Sequence, residues 1–294
     1  MKRCLRCQTR FTHHGWACPN CGAAPAESNG IPVFAPALAE GDGSDADYRY
    51  DALAAAEMRH FWFVRRAMLL AWAIQKYSPS ARTLLDVGCG TGGVVAALGV
   101  AIPVLQISAG DSRLAGLEYV RRRTPGVEIL QCQACELPFD SEFDVAGAFD
   151  VIEHIDDDLG ALSALRDVVK PGGLVLIAVP QHPWLWSTID DFSRHRRRYT
   201  RAELRSKLES VGLQVVRMTS FAVAALPALW ITRHIPQPFD PERELRISRI
   251  PNAIFGALAA MEHRVIAAGF SLPAGGSLLA IARRPAESSP AGRA

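Results

Sequence analysis

The stretch "RTLLDVGCGTGGVVAALG", residues 82–99, constrains the fold more than any other. An apolar run ends in Asp86, closely spaced glycines follow, and a segment of helical composition comes next. This reads as a buried parallel strand, a tight turn and the start of a helix. Such a unit opens a doubly wound α/β sheet, whose ligands sit at the carboxyl ends of the strands. Glycines at the turn let a ligand approach the backbone closely.

A glycine turn after a strand also serves nicotinamide cofactors. Here the spacing is D-x-G-x-G-x-G, and "VV" follows where a phosphate cradle would need a further glycine. A carboxylate beside the turn suits an adenosine joined to a cationic amino acid better than a pyrophosphate. With these residues the sequence resembles class I S-adenosylmethionine-dependent methyltransferases, from about Tyr50 to Arg283. Successive segments agree in order. "VLQISAGDS" matches the second strand, "EILQCQACELPF" the third strand and adenine loop, and "EFDVAGAFDVIEHIDD" the fourth strand and the helix after it. "VVKPGG" precedes the fifth strand "LVLIAVP", "TRAELRSKLESVGLQVVRM" gives a helix and the sixth strand, and "SLLAIARRP" gives the last. The resemblance implies a Rossmann-like seven-stranded sheet and S-adenosylmethionine as cofactor. It places cofactor contacts at Asp86, Gly88, Cys89 and Gly90 in the turn, and at Asp111 and Ser112 after the second strand. Further contacts fall at Ala134 and Cys135 on the adenine loop and at Asp150 after the fourth strand. Asp111 stands where the family binds both ribose hydroxyls. Gln133 occupies a position often held by an acid, and its carbonyl can still accept from the adenine amino group. Cys89 reads as a small packing residue.

The 294 residues suffice for this domain and one small appendage, and 49% hydrophobic residues supply its core. A formal charge of +2 gives no global field for nucleic acid. No signal-peptide-like or membrane-spanning run stands out, so a cytoplasmic location is expected. The appendage is residues 1–34, where Cys4 and Cys7 form one C-x2-C pair and Cys18 and Cys21 another. Two such knuckles offer four thiolates to a structural Zn2+, which so short a segment needs in order to fold. The module resembles a zinc ribbon. It either contacts a partner or braces its neighbour. "GIPVF" within it is expected to dock as a short strand, residues 35–49 read as a linker, and 285–294 as a disordered tail. The pair Cys132 and Cys135 has no second pair and reads as coincidence.

Methyl transfer from a sulfonium needs alignment and, for an oxygen acceptor, removal of a proton. Asp150, Glu153 and His154 in "DVIEH" would share one face if the segment were helical. They can hold a divalent metal or orient a base, and the segment resembles the E-x-x-E-H text of ubiquinone-biosynthesis O-methyltransferases, where it carries a metal. Glu153, His154 and His195 are the candidate catalytic residues. "HFWF" and "PQHPWLWSTIDDFSRHRRRYT" flank the expected pocket, offering His60, Trp62, Arg66, Trp184, Trp186, Arg196, Arg197 and Tyr199 to the acceptor. Thr200 should cap the following helix, with Glu203 three residues on. Asp156 to Asp158 read as a solvated loop and helix start. Residues 220–273 form a helical insertion before the last strand, read as a lid, a homodimer contact or a membrane-surface patch. The domain is expected to span 50–284. The expected acceptor is a small molecule, natural product or lipid- or glycan-linked group, methylated on oxygen. Two alternatives are a ribosomal or transfer RNA methyltransferase, which the ribbon and the arginine run would serve, and a non-catalytic cofactor-binding module. RNA recognition needs a wider basic surface than one arginine run.

Overall fold

The computed structural model describes residues 1–40, 50–234 and 245–286. Most of the expected linker, the polar segment inside the insertion, and the tail from residue 287 lie outside these. The strands are β1 (Lys2–Arg3), β2 (Arg10–Phe11), β3 (Ala26–Ser28), β4 (Ile31–Val33), β5 (Thr83–Val87), β6 (Gln106–Asp111), β7 (Glu128–Gln131), β8 (Phe143–Phe149), β9 (Val169–Pro180), β10 (Gln214–Phe221) and β11 (Ser277–Arg283). β1 and β2 form a small hairpin in the N-terminal module. The rest form one sheet in the order β10-β11-β9-β8-β5-β6-β7-β4-β3. The five central strands are parallel, and β11 enters antiparallel between β9 and β10.

Seven strands were expected in this sheet, and nine are present among the described residues. The two extra strands come from the N-terminal module: β4, from "GIPVF", pairs parallel with β7 at Val33 and Gln131, and β3 pairs with β4. The free edge of β7 has a row of unpaired backbone groups, and β4 satisfies part of it.

The helices are α1 (Pro36–Ala39), α2 (Tyr50–Glu57), α3 (Phe61–Tyr77), α4 (Gly93–Ala101), α5 (Leu114–Arg123), α6 (Asp158–Val168), α7 (Thr188–Phe192), α8 (Arg201–Ser210), α9 (Leu226–His234) and α10 (Arg249–Ala267). Strand residues alternate between two cores because successive side chains point to opposite faces. Leu84, Leu174 and Leu176 face α3, α4, α5 and α10, while Leu85, Val175 and Ile177 face α6 and α8. Strand order reverses at β5, between β6 and β8, so the carboxyl ends of β5 and β8 form the crevice where a ligand fits. Between β10 and β11 lie α9 and α10, and α10 packs on α3. Among the described residues no helix is long and apolar enough to cross a membrane.

Candidate active site

The glycine turn leaves β5 with Gly88 at φ +75°, and a Cβ there would overlap the side chain of Val151. Only glycine avoids both penalties. The Gly88 and Cys89 N–H groups donate to the Gly110 carbonyl, at 2.7 and 3.1 Å, which fastens the turn to β6. Asp111 ends β6 and accepts from Gly90 N at 2.8 Å and Arg113 N at 2.9 Å. Each oxygen keeps a lone pair, which suits a pair of ribose hydroxyls. Asp86 is 2% exposed, and its Oδ2 has no hydrogen-bond partner. Burial pushes its carboxyl up to about 7 against the opposing pull of Arg66. A buried carboxyl oxygen without a donor suits the ammonium of an amino acid. Burial also holds the Cys89 thiol well above its ordinary range, so it packs and does not react.

Sequence reasoning missed Glu57, thirty residues before the turn. Thr91 Oγ1 donates to it at 2.5 Å, Arg123 pairs with it, and its carboxylate fills the space beside Gly93 at the start of α4. A helix N-terminus attracts an anion. Here that place is taken by a side chain, which favours a cofactor without a pyrophosphate. The adenine-loop positions Ala134 and Cys135 are half-buried, and Ser112 offers its carbonyl to Gln131. Gln133 turns its amide to Glu136 at 3.1 Å.

Past β8 the backbone does not form the α-helix that would align Asp150, Glu153 and His154. Asp150 has φ +59°, and Ile152–His154 form one 3-10 turn. Asp150 accepts an ion pair from Arg66, which lies over the Trp62 ring at 4.5 Å. The three side chains brought together are instead Glu153, His154 and His195, whose donor atoms lie within 4.8 Å of one another. These are the three candidate catalytic residues. Glu153 is fully buried and neither carboxyl oxygen has a partner. Burial, with Asp150 nearby, holds its carboxyl well above the usual range. The His154 ring meets His195 edge to face at 4.7 Å, and the residue stays open to solvent on one side. The surrounding protein and His195 both hold its basicity down.

His195 Nδ1 lies 2.7 Å from Asp190 Oδ1, and Asp190 is completely buried. Asp190 also accepts from Arg198 Nε at 2.7 Å, Ser187 N at 2.9 Å and Ser187 Oγ at 3.2 Å. Asp190 did not stand out in the sequence, and Arg198 did so only as part of the arginine run. The only available signal was the capping box that Ser187 and Asp190 form at the start of α7. Because Val151 packs on Gly88, this histidine cluster stands beside the glycine turn.

Several expected acceptor residues have other partners. Tyr199 is fully buried and donates to Asp158 at 2.7 Å, so it supports the site from below. Arg197 pairs with Asp158 at 2.8 Å and Arg196 with Asp156 at 3.2 Å. Asp157 caps α6 and Asp158 begins it, as the expected helix start requires, but Asp158 is not solvated: it is 3% exposed and also holds Lys207. His60 caps α3, its Nδ1 accepting from Trp62 N at 3.2 Å. Trp184 stacks on His182, Trp186 donates to Asp191 at 2.9 Å, and both stay exposed. Thr200 caps α8 as expected, accepting from Glu203 N at 3.2 Å.

In the N-terminal module the sulfurs of Cys4 and Cys21 lie 3.7 Å apart and those of Cys7 and Cys18 3.5 Å apart. Tetrahedral thiolates at a zinc–sulfur distance of about 2.3 Å would be about 3.8 Å apart, so the four cysteines fit that ion. Among the described residues every cysteine is free of disulfides.

The profile of a family described as a methyltransferase domain matches residues 54–218. A probable S-adenosylmethionine-dependent methyltransferase of Mycobacterium tuberculosis is 31% identical over 169 residues, covering 55% of this chain and 59% of that protein. The chain thus spans about three-fifths of that relative's length. An O-methyltransferase of Aspergillus nomiae is 36% identical over 107 residues, covering 34% of this chain and 48% of that protein. Among solved structures, a chain from the complex between the Haloferax volcanii Trm112 methyltransferase activator and a methyltransferase has a TM-score of 0.56. At 19% identity, covering 83% of this chain and 96% of that one, it shares the fold. With its profile matched over more than half the chain, and with the glycine turn and its carboxylates at the sheet's switch point, the protein belongs to the methyltransferase domain family.

Proposed function

We propose that the protein transfers a methyl group from S-adenosylmethionine to a hydroxyl of a small-molecule, natural-product or lipid- or glycan-linked acceptor. The observation that carries this reading is the His195–Asp190 pair beside the glycine turn. When bound, S-adenosylmethionine supplies an activated methyl on a sulfonium and leaves as a neutral thioether. Asp86, Asp111 and the turn backbone would hold its amino group, ribose and chain. Asp190 fixes the orientation of the His195 ring. His195 Nε2 is then the atom that takes the acceptor's hydroxyl proton as the oxygen–methyl bond forms and the carbon–sulfur bond breaks. The Aspergillus relative is named an O-methyltransferase, which fits an oxygen acceptor.

The exposed row Ile250, Ile254, Leu258 and Met261 on α10 supports an apolar or lipid-linked acceptor reached at a membrane surface. The free cysteines fit a reducing compartment such as the cytoplasm. The RNA reading loses its main support, because Arg197 and Arg198 are tied to buried acids. We assign the N-terminal module a bracing role. Arg3 N donates to Pro138 O at 2.9 Å, Trp16 packs on Phe139 at 5.5 Å, and Gln131 links Ala35 to Ser112. The module thereby supports both the adenine loop and the ribose-binding turn.

The test is methylation of a panel of phenolic, catecholic and sugar hydroxyls with labelled S-adenosylmethionine. His195→Asn should lower turnover by about 10²–10⁴-fold with cofactor affinity unchanged in calorimetry. Methyl transfer that proceeds at full rate in this variant sinks the assigned base, and absence of cofactor binding sinks the whole reading.

A further inference from the structure

We propose that the solvent face of α10 is a docking surface for an anionic lipid bilayer, on which the protein lies without crossing it. The helix has two unlike faces. Phe255 stacks on Phe61 of α3 at 5.4 Å, and Ile266 is buried in the core. On the other face Ile250, Ile254, Leu258, Met261 and Val265 are 40–73% exposed. They recur every three or four residues, which puts them on one stripe. Phe270, just past the end of α10, is exposed as well. A continuous exposed apolar stripe marks a surface that another apolar phase covers.

Charge decides which phase. Arg249 and Arg264 are exposed on the same helix, and neither guanidinium has an ion-pair partner among the described residues. Glu262 is the only carboxylate in α10, and it turns inward, accepting from Ala222 N at 2.7 Å and Val223 N at 2.9 Å. The exposed face of α10 thus carries cations and no anion. A second copy of the chain docking by two-fold symmetry must present this same surface to itself. Its arginines would then meet no carboxylate on the facing helix. An anionic bilayer supplies both needs, phosphate groups for the arginines and hydrocarbon for the stripe.

The docking face also stands next to the methyl-transfer crevice. Asn252 of α10 accepts from Phe61 N at 2.7 Å and donates to Arg59 O at 2.9 Å, which clamps α10 to the start of α3. That part of α3 carries Trp62 and Arg66, and Arg66 pairs with Asp150 past β8. The proposal deepens the reading of a lipid-linked acceptor and rests on it only for its purpose, because docking is measured without methyl transfer.

The test is sedimentation of the full-length protein with vesicles of phosphatidylcholine alone, or of equal parts phosphatidylcholine and phosphatidylglycerol. Binding to the mixed vesicles is expected, and it should weaken as salt is raised. Arg249→Gln with Arg264→Gln should lower affinity for the mixed vesicles by about 30-fold and leave phosphatidylcholine binding unchanged. Ile254→Glu with Met261→Glu should abolish binding to both. Val100→Glu, which changes an exposed apolar side chain on α4, should bind as the wild type does. All these side chains are exposed, and circular dichroism verifies that each variant is folded. No sedimentation of the wild type with mixed vesicles, or full binding by the Ile254→Glu/Met261→Glu variant, overturns the surface. So does a wild-type dimer in light scattering that this variant splits, with no vesicle binding. Methylation of a soluble hydroxyl without vesicle binding overturns the surface and leaves the methyl-transfer reading standing. Vesicle binding without methylation of any lipid-linked hydroxyl upholds the surface and removes the lipid-linked acceptor.

Discussion

The N-terminal module and the main sheet are held together by different physics. The module's own buried apolar set is Cys4, Phe11 and Cys18, of which two belong to the four-cysteine cluster. The sheet has a large apolar core on each face. The module therefore has little apolar core of its own and relies on the main domain for the surfaces it covers. Ile31 is buried in one core and Trp16 and Phe34 pack against the other. The dependence also runs the other way, because β4 closes the edge of β7 and Gln131 sits between the module and Ser112.

Breaking the metal site tests that mutual dependence most severely. Cys18→Ser should release the zinc, whose binding contributes about 10–16 kcal/mol in isolated zinc-finger peptides. Atomic emission should show the metal lost and proteolysis should cut within residues 1–34, while the main sheet stays folded by circular dichroism. S-adenosylmethionine affinity should drop about tenfold, a change of about 1.4 kcal/mol. Unchanged affinity would reduce the module to an appendage.

The main domain, in contrast, carries its strain at the cofactor site. Asp86 has an ordinary carboxyl pKa when unfolded and about 7 when folded, because it is buried. A raised folded value means that its stabilising contribution is complete below about pH 4 and is lost as pH rises towards 7. The change is about 4 kcal/mol. A bound ammonium reverses the preference by stabilising the carboxylate. Cofactor affinity should therefore climb by up to about tenfold per pH unit until about pH 7 and then level off. Calorimetry across this range checks it, and Asp86→Asn should flatten the profile.

A local device marks the small end of the scale. Thr200→Ala removes the cap of α8 and should cost about 1 kcal/mol in denaturant unfolding, with zinc content and cofactor affinity untouched.

How far each feature was legible in the sequence depends on the range of the forces that make it. The glycine turn, the paired cysteines and the Thr200 cap are local, set by backbone conformation and ligand spacing over a few residues. Each appears where the sequence places it. "SRHRRRYT" misled because its charges were counted without their partners. The segment turns at Arg194, where φ is +55°, and bridges to Gln181 at Tyr199, which sends the tyrosine inward and aligns the arginines with acids from other segments. Glu57 was invisible for the same reason: nothing along the chain announces that α2 will set a carboxylate against α4.

The sequence by itself determined the parallel sheet, the cofactor turn and the four-thiolate module, because period-two burial, positive φ and ligand spacing are written in neighbouring residues. Only the tertiary structure decided that the module extends the sheet, that Asp190 is the partner of His195, and that Asp150 is neutralised by Arg66. Those outcomes depend on which buried charges meet across the fold, and burial makes each pairing strong enough to override what the local sequence suggests.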